Sequence, residues 1–246
     1  MLLVSLLFLV SFLLVALLKS SFTATDANVN SWAASIQTSS FTAIAEIIAY
    51  VFDTTALLAI SLLLAVFLFY KNYSKYSVLL LAAMGGDAAI VSVIKTLVHS
   101  ARPLNGLMYD TGFSFPSGHA AGSIVFCGLL TYFGWQFWKS PKAKAALGAF
   151  FVAITFVVSF SRVYLNVHWF SDVLGGCLLG LFWLAFSIWA VQYLETTKKF
   201  QTNKFWVRVT HISSNSCLAK SKRYSALPIF FPYLVHHEDH LKCRAI

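Results

Sequence analysis

Charge is scarce in this sequence. Only 11% of its 246 residues are Asp, Glu, Lys or Arg, against about 25% in an ordinary soluble domain. With 59% hydrophobic residues and a mean hydropathy of +0.74, the deficit excludes a single soluble core and points to an integral membrane protein. Cysteine is limited to four positions, Cys127, Cys177, Cys217 and Cys243, with no disulfide or zinc spacing among them. Cys127 and Cys177 fall inside apolar runs, where a free thiol behaves as a small hydrophobe. Acids are fewer than bases, 9 Asp and Glu against 18 Lys and Arg, and no cluster of carboxylates suited to Mg²⁺ stands out. There is no internal repeat.

What is present in abundance is apolar sequence. A helix needs about 20 mostly apolar residues to cross a bilayer. Six stretches qualify: 2–18, 44–70, 77–98, 118–138, 145–163 and 170–194. The expected fold is therefore all-α, a polytopic membrane bundle of about six transmembrane helices. The first stretch lacks a basic leader and a small-residue cleavage site, so it reads as a retained helix rather than a signal peptide. The polar, Ser/Thr-rich segment 20–43 reads as an outer-side loop. Two domains are expected: a membrane domain over 1–195 and a basic cytoplasmic tail over 196–246, partly disordered or lying on the membrane surface. Within the tail "LPIFFPYLV" is too short to span, and "HHEDH" reads as a solvated polar stretch rather than a metal site.

The bases set an orientation. Lys71 and Lys75 fall between the second and third spans, and Lys139, Lys142 and Lys144 between the fourth and fifth. Nine more follow Glu195. With six spans these share one side, which the positive-inside rule makes the cytoplasm. The net charge of +9 thus reports topology, with some attraction of the tail to anionic lipid, and gives no reason to invoke nucleic acid. Lys19, Lys95, Arg102 and Arg162 remain. The last three fall at the opposite face, where an ionisable residue is a functional signal.

Three blocks meet at that face: "KTLVHSARP" with Lys95 and Arg102, "PSGH" from Pro116 to His119, and "SRVYLNVHWFSD" with Arg162, His168 and Asp172. Three cations suit a doubly charged anion, Arg as a planar fork and Lys as a point charge. "PSG" before a helix adds backbone N–H groups at a positive helix end, with the Ser117 hydroxyl beside them. His168 and Asp172 are four apart and share a helical face. A carboxylate on one ring nitrogen leaves the other as a lone pair, a nucleophile or base. His119 is its counterpart, an acid for the leaving oxygen. The implied chemistry is phosphoryl transfer to histidine followed by attack of water. Cations rather than Mg²⁺ neutralise the charge, so neither metal nor other cofactor is expected.

These blocks resemble the signature of the type 2 phosphatidic acid phosphatase superfamily. The pattern is Lys, six residues, Arg-Pro; Pro-Ser-Gly-His; then Ser-Arg, five residues, His, three residues, Asp. Every fixed position is met between residues 95 and 172. The resemblance implies a metal-independent lipid phosphatase of the membrane branch. His168 would form the phosphohistidine, Asp172 would support it, and His119 would act on the leaving group. Lys95, Arg102, Ser117, Gly118 and Arg162 would hold the phosphate. The site would face outward from the cell (inner) membrane, on a lipid phosphate such as undecaprenyl diphosphate, phosphatidic acid, phosphatidylglycerol phosphate or lipid A. The alternatives are a phosphotransferase using the same histidine and a non-catalytic lipid-phosphate binder. Oligomeric state is not legible.

Other residues carry less. His99 lies in the outer loop outside the motif, and Tyr109, Asp110 and Phe113 either line the entrance or serve the loop. Glu46, Asp53 and Asp87 are acids in or near the spans; Asp87, eight before Lys95, reads as paired within the bundle, with tuning of the lipid site as the alternative. The pairs Gly85–Gly86 and Gly175–Gly176 read as close helix contacts, and Trp138 and Trp169 as interface anchors.

Overall fold

The computed structural model describes residues 1–224, with side chains through residue 197. The "LPIFFPYLV" and "HHEDH" stretches lie outside the described residues, as do Cys243 and the side chain of Cys217. The chain divides into two units, Met1–Val191 and Gln192–Ile246. The first is a helical bundle, and in the second helix continues to Tyr224. No strand is present among the described residues.

In order the helices are α1 (Leu2–Leu17), a 3-10 turn (Lys19–Phe22), α2 (Thr23–Ser35), α3 (Ser39–Val51), α4 (Thr54–Tyr70), α5 (Ser74–Val98), α6 (Gly118–Phe137), α7 (Pro141–Tyr164) and α8 (Phe170–Tyr224). Four segments are long and apolar enough to cross a membrane unaided: Ser74–Val98, Gly118–Phe137, Pro141–Tyr164 and Phe170–Thr197. They match the last four expected spans.

The first two spans differ from expectation. α1 is followed by a bend of 71° into Lys19–Ser35, and α3 is separated from α4 by a bend of 51°. The bundle therefore has four spans, or up to six if each bent pair counts as one. Asp53 causes the second break. Its backbone is extended, and its carboxylate accepts from Thr55 N at 2.9 Å as the cap of α4. A capping Asp inside an apolar run ends one helix and starts another. The expected loop over 20–43 is a correction as well: most of it is the 3-10 turn, α2 and the start of α3. Asp26, Asn30 and Gln37 in it are partners for the chain near 164–172.

Packing follows residue size. Leu57, Ala65, Leu80, Ala83, Met84, Val125 and Leu129 form a buried cluster joining α4, α5 and α6. Phe12 and Val15 of α1 pack with Val91, Phe115, Ala121 and Leu179, and the buried Ser5 donates to Phe182 O at 3.2 Å. Glycines bring α6 and α8 together: a Cβ on Gly176 would overlap Ser117 O, and one on Gly180 would lie 2.8 Å from Ala121 O. A Cβ on Gly175 would strike the Phe115 ring, and one on Gly86 the Trp183 ring. Gly85 meets nothing within 4 Å. Three of the four paired glycines are thus close contacts, as expected, and Gly85 is not.

Candidate active site

The ends of four long helices supply the predicted residues. Lys95 lies in the last turn of α5 and Arg162 in the last turn of α7, where the negative end of a helix favours a cation. Gly118 and His119 open α6 and Asp172 lies in the first turn of α8, where the positive end favours an anion. Arg102 and His168 sit on the connections between them.

His168 is buried and has distinct partners on its two nitrogens. Nδ1 lies 3.6 Å from Asp172 Oδ2 and 3.3 Å from Ser114 Oγ. Nε2 lies 3.3 Å from Arg102 Nη1. Ser114 donates a short hydrogen bond to Asp172 Oδ2, which also accepts from Trp169 N at 2.9 Å. That last bond is half of a capping box at the start of α8. The loss of hydration in this buried place pushes the His168 imidazole down to about 4, beyond what Asp172 restores, and the Arg102 and Lys95 charges push the same way.

Arg102 is fixed by both connections. It donates to Val167 O at 2.8 Å and Gly112 O at 3.1 Å, and pairs with Asp110 at 3.0 Å. Lys95, half-buried, is within electrostatic range of Arg102, Asp110 and Asp172. Trp169 Nε1 donates to Ala101 O at 2.8 Å, so this indole pins the Arg102 segment.

Arg162 and His119 form the second part. Arg162 Nη1 lies 3.2 Å from His119 Nε2, and the same nitrogen lies 3.2 Å from Ala49 O and 3.9 Å from Asp53 Oδ1. A single ring nitrogen cannot both donate to the carbonyl and accept from the guanidinium, so one tautomer serves each partner. His119 is within electrostatic range of His168. Ser117 N donates to Asp172 O at 3.0 Å, tying α6 to α8. This N–H is therefore committed within the fold rather than free for a ligand. The Ser117 hydroxyl and Arg162 Nε are both buried without a hydrogen-bond partner.

The arrangement is a histidine with one nitrogen facing a guanidinium, a carboxylate at the other, a second histidine in electrostatic range, and three cations around them. A family model described as the PAP2 superfamily matches residues 76–196, a range that holds every one of these side chains. Residues 76–196 are a PAP2 superfamily region. Among PAP2 relatives, a phosphatidylglycerophosphatase B from Bacillus subtilis is 32% identical over 129 residues, 51% of this chain and 63% of that protein. An undecaprenyl-diphosphatase from Sulfolobus acidocaldarius is 31% identical over 144 residues, 56% of this chain and 65% of that protein. The chain thus spans a little under two thirds of each of these relatives. The crystal structure of a transmembrane PAP2-type phosphatidylglycerolphosphate phosphatase from Bacillus subtilis superposes with a TM-score of 0.69 at 24% identity, covering 79% of this chain and 96% of that one. This last likeness is one of fold, a multi-pass membrane bundle.

Residues outside the PAP2 match also reach the site. Lys19 Nζ binds Asp172 Oδ1 at 2.5 Å and lies 3.1 Å from Ser171 Oγ. Asp26 accepts from Ser171 N at 2.8 Å and from Ser171 Oγ at 2.7 Å. Asn30 Nδ2 donates to Asn166 Oδ1 at 2.9 Å, and Gln37 Nε2 to Tyr164 O at 2.7 Å. None of these, nor Ser114, was singled out by sequence reasoning. Only Lys19 left a signal, as a base outside the cytoplasmic set.

The secondary candidates fall into place. His99 ends α5 in the left-handed region at φ 51° and packs on the Phe113 ring at 4.3 Å. Tyr109 is fully exposed, and Asp110 holds Arg102. Asp87 is buried on α5 with Oδ1 unsatisfied, against the expectation of a satisfied bundle residue.

Proposed function

We propose that the protein is a lipid phosphatase that hydrolyses a phosphomonoester or diphosphate through a phosphohistidine on His168. The observation that carries this reading is the paired environment of His168. Nδ1 faces Asp172 and Ser114 while Nε2 faces a guanidinium. A guanidinium only donates, so Nε2 presents its lone pair on the side where Arg102 would also draw a phosphate.

In the first step the Nε2 lone pair forms a bond to phosphorus. The bond from phosphorus to the lipid oxygen breaks, and that oxygen takes a proton from His119. In the second step water attacks phosphorus and gives a proton to His119. The phosphorus–nitrogen bond breaks, and its electron pair returns to Nε2. Lys95, Arg102 and Arg162 neutralise the charge that spreads over the phosphoryl oxygens. The unpartnered Ser117 hydroxyl and Arg162 Nε are donors left for the same anion, with the N–H groups at the start of α6 as further donors. Charge is balanced by cations, so no metal is required.

The basic connections and tail support a cytoplasmic assignment for that side, leaving the site at the outer face of the cell membrane. A lipid keeps its chains in the bilayer and its phosphate at the surface, which matches helix-end chemistry. The names of the relatives make phosphatidylglycerol phosphate and undecaprenyl diphosphate the first substrates to test, with phosphatidic acid and lipid A beside them.

The test is phosphate release by purified, detergent-solubilised protein on those four lipids in EDTA, alongside His168→Ala. Release abolished in the variant is the expected result. Release lost in EDTA and restored by Mg²⁺ overturns metal independence. Equal release by wild type and variant overturns the nucleophile. Release from no lipid favours a phosphotransferase or a binder.

A further inference from the structure

The Asp172 carboxylate is completely buried, and its two oxygens are held from opposite directions. Oδ2 serves His168, Ser114 and Trp169 N. Oδ1 is bound by Lys19 Nζ at 2.5 Å. Two further contacts place Lys19. Its Nζ sits 4.9 Å above the Phe115 ring, a cation–π distance. Phe115 in turn stacks on Phe12 of α1 at 5.8 Å. Nζ also reaches Ser171 Oγ, which donates to the buried Asp26. Asp26, Ser171, Lys19 and Asp172 therefore form one chain of alternating charge from α2 to the imidazole.

We propose that Lys19 is a positioning residue for the reaction: its ammonium fixes the Asp172 carboxylate and offsets part of its charge, which keeps His168 neutral and its Nε2 nucleophilic. The inference rests on the reading of His168 as nucleophile. A bare carboxylate beside an imidazole favours the imidazolium, which has no lone pair to attack with. The same carboxylate is still needed to orient the ring. A cation on the far oxygen meets both demands. It keeps the hydrogen-bond geometry and weakens the field at Nδ1.

The other charged groups around the pair do not substitute for it. Lys95 of α5 and Arg102 of the next connection act on the imidazole side, and Asp110 is engaged by Arg102. His119 of α6 is held by Arg162 of α7, with Asp53 at the start of α4 beyond it. Asp26 of α2 is spent on Ser171. Among the described residues, Lys19 is the cation that touches Asp172.

The experiment uses full-length Lys19→Arg, Lys19→Gln and Lys19→Met in detergent. One readout is the ¹⁵N titration of the His168 imidazole, assigned by difference from His168→Gln. The other is the pH profile of kcat/KM on phosphatidic acid and a polyprenyl diphosphate. In Lys19→Gln and Lys19→Met the His168 midpoint is expected to rise by about one pH unit, a roughly tenfold gain in proton affinity. The acid limb of activity rises with it. Lys19→Arg keeps the wild-type midpoint. If Lys19→Met does not fold, Lys19→Gln, which retains a donor without the charge, decides. An unmoved midpoint overturns the proposal, whether activity falls evenly at every pH or not at all. If wild type releases no phosphate from any lipid, the functional reading fails, while the titration still decides the role of Lys19.

Discussion

Arg102 Nη1 stands 3.3 Å from His168 Nε2. Because the guanidinium has no acceptor, the contact is a hydrogen bond only for the tautomer with its proton on Nδ1. Asp172 and Ser114 stand at that nitrogen. The two sides of the ring therefore agree on one protonation state, and that state leaves the lone pair toward Arg102.

This sets the pH dependence. Burial carries His168 from 6.5 to about 4. As the proposed nucleophile, His168 is then neutral across the physiological range, so the acid limb of kcat/KM should come only as pH drops through about 4. The same lowering affects stability. Between 6.5 and about 4 the unfolded chain binds the proton and the folded one does not, so this group's contribution to stability falls as pH is lowered across that window. A pH–rate profile with an acid limb at 6 to 7 would count against this state of His168.

His119→Ala should lower kcat by roughly 10²–10⁴-fold on lipid esters, the usual contribution of a general acid. On an aryl phosphate, whose leaving group needs little protonation, the loss should be far smaller. Equal losses on both substrates would assign His119 to phosphate binding instead. Comparing the two substrates in one preparation makes the test independent of protein yield.

Ser117→Ala separates function from folding. The hydroxyl has no protein partner to lose, so the melting temperature should stay at the wild-type value. A hydrogen bond to a charged group contributes about 1.5–3 kcal/mol, so kcat/KM should fall roughly 10- to 100-fold. A lower melting temperature with unchanged kinetics would make the residue structural.

Gly176→Ala should destabilise by about 1–3 kcal/mol through overpacking, because its Cβ would overlap Ser117 O. The strain would push α6 and α8 apart at the first turn that carries His119, so activity should fall as well. Gly85→Ala meets nothing within 4 Å and should melt as wild type. Thermal denaturation of both in the same detergent checks the contrast.

The sequence was most informative where residue type and spacing carry the chemistry. Lys95, Arg102, His119, Arg162, His168 and Asp172 stand out because bases and histidines interrupt apolar helices at one end. The last four spans were legible from length and hydropathy alone. Two things were not. The break at Asp53 was hidden because one capping carboxylate scarcely alters the average hydropathy of a long window. The role of 19–37 was hidden because a Ser- and Asn-rich stretch looks the same whether water or distant backbone satisfies it. Asn30 and Asn166, 136 residues apart, form a contact that no local periodicity reports. Ser114 stood within sight of the motif, but a serine two residues before a proline has many ordinary uses.

The bond between Lys19 and Asp172 joins residues 153 positions apart. During synthesis the first helices emerge long before their partners on α8. A nascent chain that has not yet reached residue 170 has Lys19 and the Arg102 and His119 segments but not the Asp172 carboxylate that Lys19 binds. Completion of the Asp172 cluster is therefore a late event of folding. It is reached only when the start of α8 packs onto the segment that carries Lys19, so the oldest and youngest parts of the cluster must wait for each other.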